Sequence, residues 1–84
     1  MIYKARIYIG SLLAGYRQEA GLTIKEAAER AGVSRSNLTN IERGRYSAGV
    51  DILTKIAAVY NKKLDFSDIN SNYDDFITYL CAVN

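Results

Sequence analysis

Histidine, proline and tryptophan do not occur among the 84 residues, and cysteine and methionine occur once each. The one cysteine, Cys81, can close no disulfide within the chain, and without histidine a single copy cannot assemble a structural zinc site. The same gap removes the side chain on which most general acid–base and triad chemistry depends. An enzyme would have to work with carboxylates, lysine or tyrosine alone, and the acidic residues stand singly or at helix starts rather than in a converging set. Neither a metal nor a cofactor is expected. Long apolar runs are absent too: the longest uncharged stretch, residues 7–16, is about half of what a bilayer-spanning helix needs. Lys4 and Arg6 ahead of it give a faint likeness to a secretory leader. Gly10, Ser11 and Gly15 interrupt that run, however, and no small-residue cleavage site follows, so a reduced, cytoplasmic chain is expected.

What remains is ordinary for a folded domain. Hydrophobic residues make up 49% and charged residues 24%, too apolar for disorder, and two independent cores would leave only about 40 residues each. Charge is uneven. Residues 1–46 carry eight basic and four acidic side chains, a net of +4, whereas residues 47–84 carry three and five, a net of −2. Such asymmetry suggests a basic face for a polyanion.

Apolar spacing predicts consecutive short helices. Ile9, Leu12, Leu13, Tyr16 and Ala20 recur at helical steps, and Gly21 supplies a stop. Thr23 with Glu26 has the spacing of a capping box, opening a second helix with Ile24, Ala27, Ala28 and Ala31 on one face and Gly32 at its end. Ser34 caps a third, with Leu38 and Ile41 inward and Gly44 at its close. From about Gly49 a fourth carries Val50, Leu53, Ile56, Ala57 and Tyr60. Residues 64–72 are rich in turn formers, after which Tyr73, Phe76, Ile77 and Leu80 resume helical spacing behind Asp74 and Asp75. Residues 1–8 fit either an arm or an extension of the first helix.

Residues 24–41 are the most informative. Two short helices joined by three or four residues around a glycine describe a helix-turn-helix. The helices cross closely, so the contact residue must be small, and Ala28 is; the turn needs a left-handed backbone, and Gly32 stands there. Val33, Leu38 and Ile41 follow as apolar anchors. A plain αα-hairpin is the simpler alternative, and the joint spacing argues against it. With "AAERAGVSRSNLTNIERG" at its centre, the stretch from residue 9 to about 66 resembles the phage-repressor-like (XRE-type) helix-turn-helix family of DNA-binding regulators. The resemblance implies an all-α, compact bundle of four to five helices whose third helix is the recognition helix. It further implies sequence-specific binding of double-stranded DNA by a small transcriptional regulator, usually a repressor and a homodimer. Residues 9–66 form the expected DNA-binding domain, and residues 67–84 a C-terminal helix of the same domain.

The residues support that use. With Leu38 and Ile41 inward, Arg35, Ser36, Thr39, Asn40 and Arg43 fall on two adjacent outward rows, 35–39–43 and 36–40, with no carboxylate among them. Arginine reads guanine and asparagine reads adenine through paired hydrogen bonds, while serine and threonine add shorter contacts. Arg35, Ser36 and Asn40 match positions that commonly touch bases in the family, and Thr39 is a further candidate. Arg43 and Arg45 flank Gly44 where relatives place phosphate-contacting groups; Tyr46 adds a hydroxyl, and Lys25 stands near the free N–H groups opening the second helix. For each, the plainer reading is a solvated polar surface. Arg17 and Glu42 match a family ion pair that joins the first and third helices. Ile24 replaces a glutamine frequent in relatives, which leaves backbone N–H groups and Lys25 to hold the DNA strand there. Ala48 replaces a proline common before the fourth helix.

A single recognition helix reads a short site, so a two-fold dimer on an inverted repeat is expected, its recognition helices about 34 Å apart. The stripe Tyr73, Phe76, Ile77 and Leu80 is the candidate contact, with Tyr60 and Phe66 beside it; packing on the domain's own core is the alternative. A second function class stays open: a protein-interaction module, such as a toxin-binding antitoxin, that uses these helices without reading bases. Controller proteins of restriction–modification systems and phage repressors share the same layout.

Overall fold

The computed structural model describes residues 3–66, which form four helices and no strand. In chain order these are α1 (Tyr3–Glu19), α2 (Ile24–Ala31), α3 (Arg35–Glu42) and α4 (Val50–Val59). Residues 3–8 continue the first helix. The fifth stripe, Tyr73 to Leu80, and with it the C-terminal helix, lies outside the described residues. Among the described residues no helix is long and apolar enough to cross a membrane.

Local chemistry sets the boundaries of the two central helices. At α2 the Glu26 amide donates to Thr23 Oγ1 at 3.1 Å, and the Thr23 amide donates to Glu26 Oε1 at 2.9 Å, a complete capping box. Gly32 ends α2 at φ 72°, and the Val33 amide then donates back to the Ala28 carbonyl at 3.0 Å. Ser34 opens α3 by accepting from the Asn37 amide at 3.0 Å. The α2–α3 corner is therefore specified within about a dozen residues.

Packing orients that corner. Ala27, Ala28 and Ala31 are buried, and their small side chains let α2 lie close against both α3 and α4. Leu38 and Ile56, 0% and 1% exposed, sit at the centre with Leu13, Ile41, Leu53 and Tyr60 around them. Tyr60 is thus buried in the domain's own core, while Phe66 is exposed. The Tyr60 ring lies 6.4 Å from that of Tyr16, over which Lys62 Nζ sits at 5.0 Å.

Helix α1 crosses the end of α3 at very short range. A Cβ on Gly10 would fall on the carbonyl oxygen of Ile41 and within 2.7 Å of that of Glu42. Only glycine lets these two backbones meet. Just beyond, Gly44 has φ +68°, and a Cβ there would lie 2.9 Å from the Ile7 Cα. The first two turns of α1 thus hold the chain where it leaves α3.

Candidate functional site

Burial of Leu38 and Ile41 turns the rest of α3 outward. Arg35, Ser36 and Arg43 are exposed, and Thr39 and Asn40 are half-buried at the edge of the same face. Arg35, Ser36, Thr39 and Asn40 line one open depression, and the structure adds Arg45 to them. All four base-contact candidates are therefore side by side.

The phosphate candidates divide. Arg45 leaves the end of α3 and folds back over it: its amide donates to the Asn40 carbonyl at 3.0 Å, and its Nη1 donates to Asn40 Oδ1 at 3.1 Å. Its own carbonyl accepts from Arg6 Nη1 at 3.4 Å. Arg43 is exposed as the C-cap of α3, and Lys25 is exposed on the first turn of α2. Neither lines the depression. Tyr46 is half-buried, its ring packed against the core beside Ile9, Ile41, Ala48 and Leu53.

The one carboxylate of α3, Glu42, is committed to an arginine of α1. Glu42 accepts from Arg17 Nε at 2.9 Å and Nη2 at 3.1 Å, a two-pronged pair, and Arg17 Nη1 also donates to the Leu22 carbonyl at 3.0 Å. The two side chains are only 17% and 6% exposed. Hydrogen bonding to Glu42 pushes the guanidinium further above its usual range, against the opposing effect of burial. One arginine thereby joins α1, the α1–α2 loop and the end of α3, and it occupies the one carboxylate that α3 carries. No group of histidine, cysteine, aspartate or glutamate among the described residues could hold a metal ion.

Sequence spacing overlooked three contributors: Arg6, Ile7 and Gly10 act on the site through the backbone of residues 41–45. The available signal was Gly10 itself, a glycine in the interior of an amphipathic stripe, which costs a helix about 1 kcal/mol unless packing requires it.

Residues 13–67 match the family model described as helix-turn-helix. ImmR of Bacillus subtilis, an HTH-type transcriptional regulator, is 40% identical over 58 residues, 69% of this chain and 46% of its own length. SinR of the same species, likewise an HTH-type transcriptional regulator, is 40% identical over 52 residues, 61% of this chain and 47% of its own length. The chain thus spans about half the length of these two curated relatives. An uncharacterized HTH-type transcriptional regulator of Methanothermobacter thermautotrophicus is 38% identical over 53 residues, 63% of this chain and 77% of its own length. Among solved structures, the clp gene regulator ClgR from Corynebacterium glutamicum shares the fold, with a TM-score of 0.67 at 24% identity over 93% of this chain and 74% of that one.

Proposed function

Because this chain belongs to the helix-turn-helix family, we propose that it binds double-stranded DNA sequence-specifically and acts in the cytoplasm as a transcriptional regulator. The observation that carries this reading is the single depression lined by Arg35, Ser36, Thr39 and Asn40, on a helix whose one carboxylate is neutralised from behind by Arg17. In this reading α3 lies in the major groove. Arg35 donates to the guanine edge, Ser36 and Thr39 make shorter polar contacts, and the Thr39 methyl meets thymine. Phosphates on either side are held by Lys25 with the positive end of α2, by Arg43, and by the Tyr46 hydroxyl. The role is binding, not catalysis.

Helix α3 has eight residues, a rod of about 12 Å, which covers roughly four base-pair steps of 3.4 Å. A site that short motivates the further proposal that two copies read an inverted repeat. Selection of bound sites from randomised duplex DNA tests both parts, because it reports specificity and symmetry together. The expected outcome is a two-fold consensus whose binding weakens steeply with salt, by a logarithmic slope of about 0.9 per phosphate contacted, and whose base preference relaxes in Arg35→Ala. Salt-insensitive binding, or a pool with no consensus, would overturn the reading in favour of a protein-interaction module.

A further inference from the structure

We propose that Arg45 and Asn40 act as one guanine-reading unit, so that Arg45 specifies a base and Asn40 does not select adenine. The inference rests on the DNA-reading role proposed above and deepens it.

An asparagine selects adenine because its carboxamide offers an acceptor and a donor together: the oxygen takes the adenine amino group, and the NH2 meets N7. In this protein Arg45 Nη1 already donates to Asn40 Oδ1 at 3.1 Å. A guanidinium has five N–H donors and no acceptor. Its position therefore fixes which way the Asn40 amide points, oxygen toward Arg45 and NH2 away. A charged donor binds a carbonyl more strongly than a neutral amino group does. An adenine amino group approaching Asn40 would have to displace that cation or crowd against it, donor facing donor. Asn40 Oδ1 keeps a second lone pair, but it lies beside the cation, so what the pair presents most strongly is donors, the Asn40 NH2 and the remaining Arg45 N–H groups. Guanine, with O6 and N7 both accepting, is the purine edge that matches.

The backbone fixes the unit in place. The Arg45 amide is tied to the Asn40 carbonyl at 3.0 Å and its carbonyl to Arg6 at 3.4 Å. Gly44, at φ +68°, is seated against Ile7. Arg45 lines the same depression as Arg35, Ser36, Thr39 and Asn40, where a phosphate contact alone would not require it.

The test is site selection from randomised duplexes by the 84-residue chain and by Asn40→Ala, Arg45→Ala and Arg45→Lys, each checked for unchanged helical circular dichroism. The position that relaxes in Asn40→Ala identifies the contacted base. Wild type is expected to select guanine there. Arg45→Ala, which frees the Asn40 oxygen, should shift that position toward adenine by about tenfold in relative affinity. Arg45→Lys, keeping charge without the planar fork, should lose the guanine preference while the salt dependence stays as in wild type. Adenine selected by the wild type at that position would overturn the proposal. So would uniform weakening of all sequences by Arg45→Ala with a salt slope reduced by about one, the signature of a phosphate contact. A wild-type pool with no consensus would instead overturn the DNA-reading role beneath it.

Discussion

Replacing Gly10 by alanine sets two effects against each other. Alanine is the better helix former and should stabilise α1 by about 0.5–1 kcal/mol. The added methyl, however, would meet the carbonyl oxygens of Ile41 and Glu42 and the Glu42 carbonyl carbon, the last at 3.0 Å. All three are backbone atoms of one helix end and cannot swing aside as a side chain could, so α1 and α3 must separate. Overpacking of this kind costs about 1–3 kcal/mol; with two backbone oxygens closer than 3.0 Å the upper end applies, which leaves a net loss of about 2 kcal/mol. For a domain of this size that lowers the melting temperature by about 8–16 °C. Gly15 supplies the control: it lies in the same helix, and a Cβ there meets nothing within 4 Å. Gly15→Ala keeps the propensity gain without the clash and should raise the melting temperature by a few degrees. Circular dichroism melts of both variants beside wild type decide the matter. Shifts of the same sign would refute the reasoning, since the helix and the substitution are shared and only the neighbour differs.

The other predictions concern ties described above. Arg17→Met strands a carboxylate that is 6% exposed and should cost about 3 kcal/mol in urea unfolding; pairing it with Glu42→Leu should recover much of the loss, and a single-variant cost near zero would deny the pair its structural role. Thr23→Ala should destabilise by about 1 kcal/mol through the lost N-cap. Hydrogen bonds from the Thr23 amide and hydroxyl hold the Glu26 carboxyl below the usual carboxylate range, so its contribution is complete above the unfolded value and fades as pH falls through the lowered one. Melts from roughly pH 5 to pH 2 should therefore show a shallower acid limb in Glu26→Gln. Tyr60 is buried with its hydroxyl lacking a hydrogen-bond partner among the described residues, and burial, then the nearby Glu42 charge, pushes the phenol up. Tyr60→Phe should be neutral or stabilising at pH 7. Wild-type stability should fall as pH rises past about 10 toward the raised value, and the phenylalanine variant should lack that decline in alkaline melts.

The parts of the fold visible in the sequence were those that a dozen neighbouring residues decide. The capping box of Thr23 and Glu26, the left-handed Gly32 and the Ser34 cap are local bargains between side chain and backbone, so spacing alone revealed them. The inward Leu38 and Ile41, and with them the outward set on α3, followed from helical periodicity. Contacts across distant segments were less visible. The Arg17–Glu42 tie spans 25 positions and came from the family resemblance, not from periodicity. The hold of Arg6 on Arg45 spans 39 positions, and its chain gave no sign of it. The start of α1 was ambiguous for the same reason, because what its first turns pack against is residues 41–45. The Asn40–Arg45 bond was missed differently: a step of five matches neither helical row, and it closes only because the chain turns back at Gly44. Tyr60 shows the limit of an apolar stripe, which marks a residue as inward without saying which interior it joins.

The close seating of α1 on residues 41–45 bears on how alleles of this protein would be interpreted. On the DNA-reading role proposed above, a genetic screen for lost operator occupancy would return lesions at Ile7 and Gly10 among those at Arg35 and Asn40, although neither of the former lines the depression on α3. The two kinds of allele separate on residual activity. A displaced brace lowers occupancy while the surviving complexes keep their preferred sequence, whereas a lost reader lets the preference itself drift.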